Sequence, residues 1–126
     1  MMLIIEERTD KVLLIRHAYG RRDLWTIPGG GYWPSREEPK DAAIREVWEE
    51  VGADVRDVQE LGQIQGSSIS KHSTKHIFKG TLISQTPVSC AEIEEQRWVA
   101  WDDAVTLGLS TVAAFAINQY GAARGN

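Results

Sequence analysis

Three glutamates sit close together in the middle of the chain: Glu46, Glu49 and Glu50. Their spacings are i, i+3 and i, i+4, so a helix would put all three carboxylates on neighbouring faces. Like charges at those spacings repel, and a surface helix gains nothing from them. A hard divalent cation offsets the repulsion, and magnesium or manganese favours oxygen ligands of this kind. Such a cation can polarise phosphoryl oxygens and lower the pKa of a water. The plainer alternative is a solvated acidic face balanced by Lys40, Arg45 or Arg56.

The segment Pro39 to Val51 has the pattern of the helix this requires. Pro39 fits the first helical position, Glu38 falls near the N-cap, and Gly52 follows as a stop. Ile44, Val47, Trp48 and Val51 form an apolar stripe expected to lie opposite the carboxylates. Upstream, Leu24–Ile27 is a short apolar run halted by Pro28 and the glycines Gly29, Gly30 and Gly31. Leu3–Glu6 and Lys11–His17 read as strands joined through Arg8–Asp10, and Val12–Ile15 suits a strand buried on both faces. Val55–Ile64, His76–Ser84 and Gln96–Trp101 read as further strands. The polar stretch Gly62–Lys75 reads as a loop or weak hairpin. Asp102 or Asp103 is expected to cap a short helix, and Ser110 a last one over Thr111–Tyr120. Strands on both sides of a central helix, with a helix at the end, predict an α/β fold with a mixed sheet between helices.

Composition narrows the function. A chain of 126 residues, 42% hydrophobic and 25% charged, suits one globular domain over residues 1–126. The net charge of −4 argues against a nucleic-acid polymer as partner, since such surfaces are basic. The single cysteine, Cys90, excludes an internal disulfide and a Cys-rich metal site. Met1–Ile5 is too short for a signal-peptide core, and no apolar run is long enough to span a membrane. The expectation is a cytoplasmic protein, monomer or homodimer.

The spacing around the glutamates is more specific than the cluster itself. Gly31 is followed after five residues by Glu37, and after seven more by Arg45-Glu46-Val47-Trp48-Glu49-Glu50-Val51-Gly52-Ala53. This resembles the Nudix box, with every fixed residue in place; Ala53 is smaller than the usual aliphatic residue there. The flanking stretches LLIRHAYGRRDLWTIPGGG and EEQRWVAWDDA also look like those of the Nudix hydrolases. The resemblance implies a Nudix-type α/β/α sandwich and cleavage of a phosphoanhydride bond in a nucleoside diphosphate derivative. It implies Glu46, Glu49 and Glu50 as metal ligands, joined by the backbone carbonyl of Gly30, with Mg2+ or Mn2+ as cofactor. Glu37 and Arg45 match an orienting pair; arginine cannot lose its proton in a protein. A further carboxylate is expected before the late strand. Glu92, Glu94 and Glu95 are the candidates, and Glu92 is preferred because it lies six residues before Trp98.

Pro34 and Arg36 depart from the residues common in the family, at free positions of the box. Together with Tyr32 and Trp33 they make the loop bulky. Arg16, Tyr32, Trp33, Gly29 and Gly30 are the expected substrate contacts, since an aromatic there could stack on a base. Trp25 is expected to pack in the core. Lys71, His72, Lys75, His76 and Lys79 could meet phosphates or simply protect a strand edge. No proline lies between Pro39 and Pro87 and no tyrosine between Tyr32 and Tyr120, which disfavours the ADP-ribose and diadenosine polyphosphate subgroups. The alternative from another class is a catalytically silent Nudix-fold nucleotide-binding or sensor module.

Overall fold

The computed structural model describes residues 1–30, 37–65 and 74–124. Two runs of aliphatic residues form its centre. Strand β1 (Met2–Glu6) pairs antiparallel with β2 (Lys11–His17). The side chains of Met2, Leu3, Ile4 and Val12 to Ile15 are fully buried, as expected where both faces of a strand are covered. Asp10 closes the turn at φ 57°, a region aspartate enters more readily than most residues.

Helix α1 (Pro39–Val51) keeps the expected bounds, with Pro39 at its start and a left-handed Gly52 closing it. Glu38 occupies the N-cap but its side chain makes no capping bond. The buried stripe keeps Val47 and Val51 of the expected one but not Trp48. Ala43, Val47 and Val51 face the sheet, Ile44 is only partly covered, and Trp48 is 53% exposed. Each residue turns about 100° around a helix, so seating Val47 on the sheet swings Trp48 off it. The same rotation places Glu46 and Glu50 beside the buried stripe rather than opposite it.

After α1, β3 (Ala53–Gln65) and β4 (Thr74–Gln85) pair antiparallel. The pairs Gln63–His76, Ile64–Lys75 and Gln65–Thr74 carry both strands into the two ends of the Gly62–Lys75 stretch; residues 66–73, between those ends, lie outside the described residues. Strand β4 runs parallel to β1, and β5 (Ile93–Ala100) antiparallel to β2. The strand order is β3-β4-β1-β2-β5, a mixed sheet. Leu24–Ile27 makes only isolated bridges, Ile15 with Thr26 and Trp25 with Leu109.

Helix α2 (Trp101–Ala104) starts straight after β5, so Asp102 and Asp103 lie inside its first turn and neither caps it. Helix α3 (Thr111–Arg124) runs past Tyr120. Ser110 does cap it, its Oγ accepting the Ala113 N–H at 3.1 Å. Side-chain alternation sorts the sheet into two cores. Met2, Ile4, Leu13, Ile15 and Phe78 pack on α1. Leu3, Ile5, Val12, Leu14 and Ile77 pack on α3 through Val112, Ala113, Ala116 and Ile117. The result is an α/β/α sandwich. No helix among the described residues is long and apolar enough to cross a membrane, which says nothing of a β-barrel.

Candidate active site

One end of the sheet gathers the residues of interest. Strand β1 begins there, β2 ends there at His17, and β5 begins there at Ile93. The glycine loop is tied to this end by the Met2 N–H, which donates to the Pro28 carbonyl at 2.9 Å. Gly29 has φ 122°, and a Cβ on it would lie 2.6 Å from the Met1 Cα; only glycine fits such a backbone at such a distance. The Gly29 N–H donates to Glu50 Oε1 at 3.3 Å. A Cβ on Gly30 would come within 3.1 Å of Glu46 Oε2, so the loop and the helix carboxylates are already at close range.

Arg45 organises the carboxylates. Its Nη2 and Nε donate to the two oxygens of Glu37 at 2.6 and 3.2 Å, a bidentate pairing that fixes the plane of the guanidinium. Its Nη1 donates to Glu46 Oε1 at 3.0 Å and to Glu49 Oε2 at 3.1 Å. The Glu37 hydrogen bonds, with Glu37 and Glu46 as neighbouring charges, raise the Arg45 pKa further. Glu46 is 19% exposed and Glu49 is 54% exposed.

Glu50 is the perturbed member. Burial pushes its carboxyl up to about 7, the Gly29 N–H opposes the shift, and Glu46 and Glu92 add to it. Glu46 also hydrogen-bonds to Glu50. The Met1 amino group lies in the same field: burial lowers its pKa to about 6, against the pull of Glu50 and Glu46.

The distal carboxylates separate into two kinds. Glu94 pairs with Arg22 at 2.7 Å. Glu95 bridges Arg16 at 2.6 Å and Arg97 at 2.7 Å. These hydrogen bonds hold the carboxyls of Glu94 and Glu95 below their ordinary value. Glu92 is exposed, and its charge reaches Glu50. Arg16 is turned inward: Nη1 donates to the Arg22 carbonyl, and the guanidinium lies 5.1 Å from the centre of the Trp25 ring. Arg97 lies 4.9 Å from that ring. Trp25 is 8% exposed, in line with the expected core role.

The structure thus brings Glu46, Glu50, Gly29 and Gly30 together, with Glu92 in electrostatic reach. Glu49 is turned to Arg45. No group of three or more His, Cys, Asp or Glu among the described residues is arranged to hold a metal ion. Gly31, Tyr32, Trp33, Pro34 and Arg36 lie outside the described residues, as do Lys71 and His72. His76 pairs with Glu60 at 2.9 Å, and Lys79 lies 5.8 Å from the Tyr120 ring centre. Sequence reasoning passed over Arg22 and Arg97, the partners of Glu94 and Glu95. It also passed over Gln85, which donates to the Val51 carbonyl and accepts from Trp98 Nε1, tying α1 to β5. The sequence carries no signal for the Arg22–Glu94 and Gln85–Val51 contacts, which join residues far apart along the chain; Arg97 lies two residues from Glu95, and strand alternation puts the two on one face.

The donor set fits a divalent cation. Glu46 and Glu50 supply hard oxygens, share a hydrogen bond and repel each other when both are ionised, the condition a cation relieves.

Comparison with known proteins places this geometry. Residues 1–118 match the family model described as the NUDIX domain. The chain is similar to diphosphoinositol polyphosphate phosphohydrolase 3-alpha of Mus musculus, 36% identical over 102 residues, covering 81% of this chain and 53% of that protein. It is also similar to the CMP-5'-(N-acetyl-N-hydroxy-3-aminopropyl)phosphonate hydrolase of Streptomyces rubellomurinus (strain ATCC 31215), 32% identical over 111 residues, covering 85% of this chain and 53% of that protein. The chain therefore spans about half the length of these curated relatives. Among solved structures, the C. elegans Ap4A hydrolase superposes with a TM-score of 0.77 at 18% identity, covering 98% of this chain and 96% of that one. At that identity the likeness shows the fold alone. A complete box, the sandwich fold and the matching family model lead to one statement: the chain belongs to the Nudix family.

Proposed function

We propose that residues 1–126 act as a single Nudix hydrolase domain that cuts a phosphoanhydride bond in a nucleoside diphosphate derivative, with magnesium or manganese as cofactor. The observation that carries this reading is the half-buried Glu50, packed between the Gly29 N–H and Glu46. Glu46, Glu50 and the Gly30 carbonyl would hold the cation, with Glu49 joining them when it leaves Arg45. When bound there, a divalent cation would supply neutralisation of phosphate oxygens and a lowered pKa for a nearby water.

The chain's own residues do the rest. Arg45 keeps Glu37, Glu46 and Glu49 in fixed relation through its hydrogen bonds. Glu92 has no ion pair among the described residues, and it takes the proton from the attacking water as general base. The water oxygen bonds to phosphorus as the bridging P–O bond breaks, and the leaving phosphate oxygen carries away the electron pair. Arg16, Gly29 and Gly30, with Tyr32 and Trp33, form the substrate contacts. The products are a nucleoside monophosphate and a second phosphorylated fragment, or pyrophosphate from a triphosphate.

The names of the relatives span inositol and nucleotide substrates, so the test is a panel. With magnesium present, phosphorylated products are measured from nucleoside triphosphates, nucleotide sugars, dinucleoside polyphosphates, ADP-ribose, a CMP-phosphonate and a diphosphoinositol polyphosphate. Release of a nucleoside monophosphate is the expected result. Arg45 bonded to Glu46 and Glu49 supports one other reading, the silent binding module, and inactivity on the whole panel would favour it.

A further inference from the structure

A bulge in β5 fixes where Glu92 can be. Arg16 pairs with Glu95, but the next residue, His17, pairs with Ile93, so Glu94 is left without a partner in the ladder. Strict alternation would put Ile93 and Trp98 on opposite faces, because they are an odd number of residues apart. Both pack in the core under α1. The extra residue absorbs the mismatch, and Glu94 turns out to Arg22.

Just before the bulge, the end of β2 grips the backbone of Glu92. The Ala18 N–H donates to the Glu92 carbonyl at 2.9 Å. The His17 ring adds a second bond to the same oxygen, from Nδ1 at 3.3 Å. A carbonyl oxygen only accepts, so the His17 Nδ1 carries the proton. Tyr19 packs on the His17 ring, with centroids 5.0 Å apart and planes at 31°. On the other side of the turn, the Ile93 N–H donates to the Cys90 carbonyl at 3.1 Å.

We propose that His17, braced by Tyr19, is a positioning residue: it holds the Glu92 backbone so that the Glu92 carboxylate is presented to Glu50 and the site. This rests on the reading of Glu92 as the proton acceptor. A second bond to a carbonyl already held by the Ala18 N–H restricts rotation of that peptide, and so the direction of the Glu92 side chain. A general base must sit within hydrogen-bond reach of the water it activates, so turnover responds to that direction while substrate affinity does not. Nδ1 donates in the charged ring and in the neutral Nδ1–H tautomer, so the effect does not require His17 to be ionised.

The test uses H17F, which keeps a ring for Tyr19 but cannot donate, and H17N, whose amide can reach the same carbonyl. H17F should lower kcat about fivefold with KM unchanged, because displaced catalytic groups lose most of their effect. H17N should recover most of the loss. In an E92Q background, H17F should have no further effect, as coupling in a double-mutant cycle requires. Amide exchange at Ala18 and Ile93 should quicken in H17F, and this is read independently of activity. If E92Q lowers kcat while H17F leaves kcat and both amides unchanged, the positioning role is wrong. If H17F quickens the amides but E92Q does not affect kcat, the proton-acceptor reading of Glu92 fails, and the proposed effect on turnover falls with it. An additive H17F and E92Q pair would also overturn the proposal, by giving His17 a role apart from Glu92.

Discussion

Two sets of glutamates at the same end of the sheet behave in opposite ways. Around the glycine loop, Glu50 lies in the fields of Glu46 and Glu92, and burial drives the Glu50 carboxyl up to about 7. Along β5, Glu94 and Glu95 are met by Arg22, Arg16 and Arg97, and their carboxyls are held low. The residue type is the same. What differs is whether the fold supplies the counter-charge. At β5 it does, and Glu95 holds the Arg16 and Arg97 guanidiniums beside the Trp25 ring. At the helix, Arg45 meets Glu37, Glu46 and Glu49 but not Glu50.

The contrast can be broken most forcefully at Glu50. Replacing it by Gln keeps the size and removes a charged ligand, so E50Q should lose at least about a hundredfold in turnover with the fold intact. Near-normal turnover of folded E50Q would remove Glu50 from the mechanism. The next effect lies at Glu92. E92Q should lower kcat by about tenfold, while E94Q changes it little. E95Q frees Arg16 and Arg97, so it should be felt in KM and in the melting temperature rather than in kcat. A damaging E94Q with a harmless E92Q would reverse the assignment of the two kinds of carboxylate.

A subtler effect appears in pH dependence. In chelator-treated protein, folded Glu50 retains its proton up to about 7, while an unfolded glutamate releases it near 4.5. Between those values the folded chain binds more protons, so the contribution of Glu50 to stability is full at low pH and is lost as pH rises. Urea melts of wild type and E50Q across that window should differ in slope, the variant being flatter. Parallel curves would mean that Glu50 is not perturbed.

Much of this frame is legible from the residues. Pro39, Gly52 and the apolar period define α1, and the box spacing singles out the glutamates. The exposed Trp48 was not legible, because Ala43, too small to stand out in the pattern, takes the buried position. The ends of β3 and β4, Gly62–Gln65 and Thr74–Lys75, lie in a polar stretch that reads as a loop or weak hairpin, and backbone pairing across the strands holds these ends. The difference between Glu92, Glu94 and Glu95 depends on partners more than seventy residues away and on a bulge at Arg16 and His17. Local spacing carries neither.

The most direct measurement of the central claim is the melting temperature with and without magnesium or manganese, in wild type, E46Q, E50Q and E94Q. A ligand that binds only the folded chain stabilises it by mass action. Cation should raise the melting temperature of wild type and E94Q by the same amount, and the shift should collapse in E46Q and E50Q. Equal shifts in all four proteins would contradict the account, because the cation would then be bound somewhere other than at the helix carboxylates.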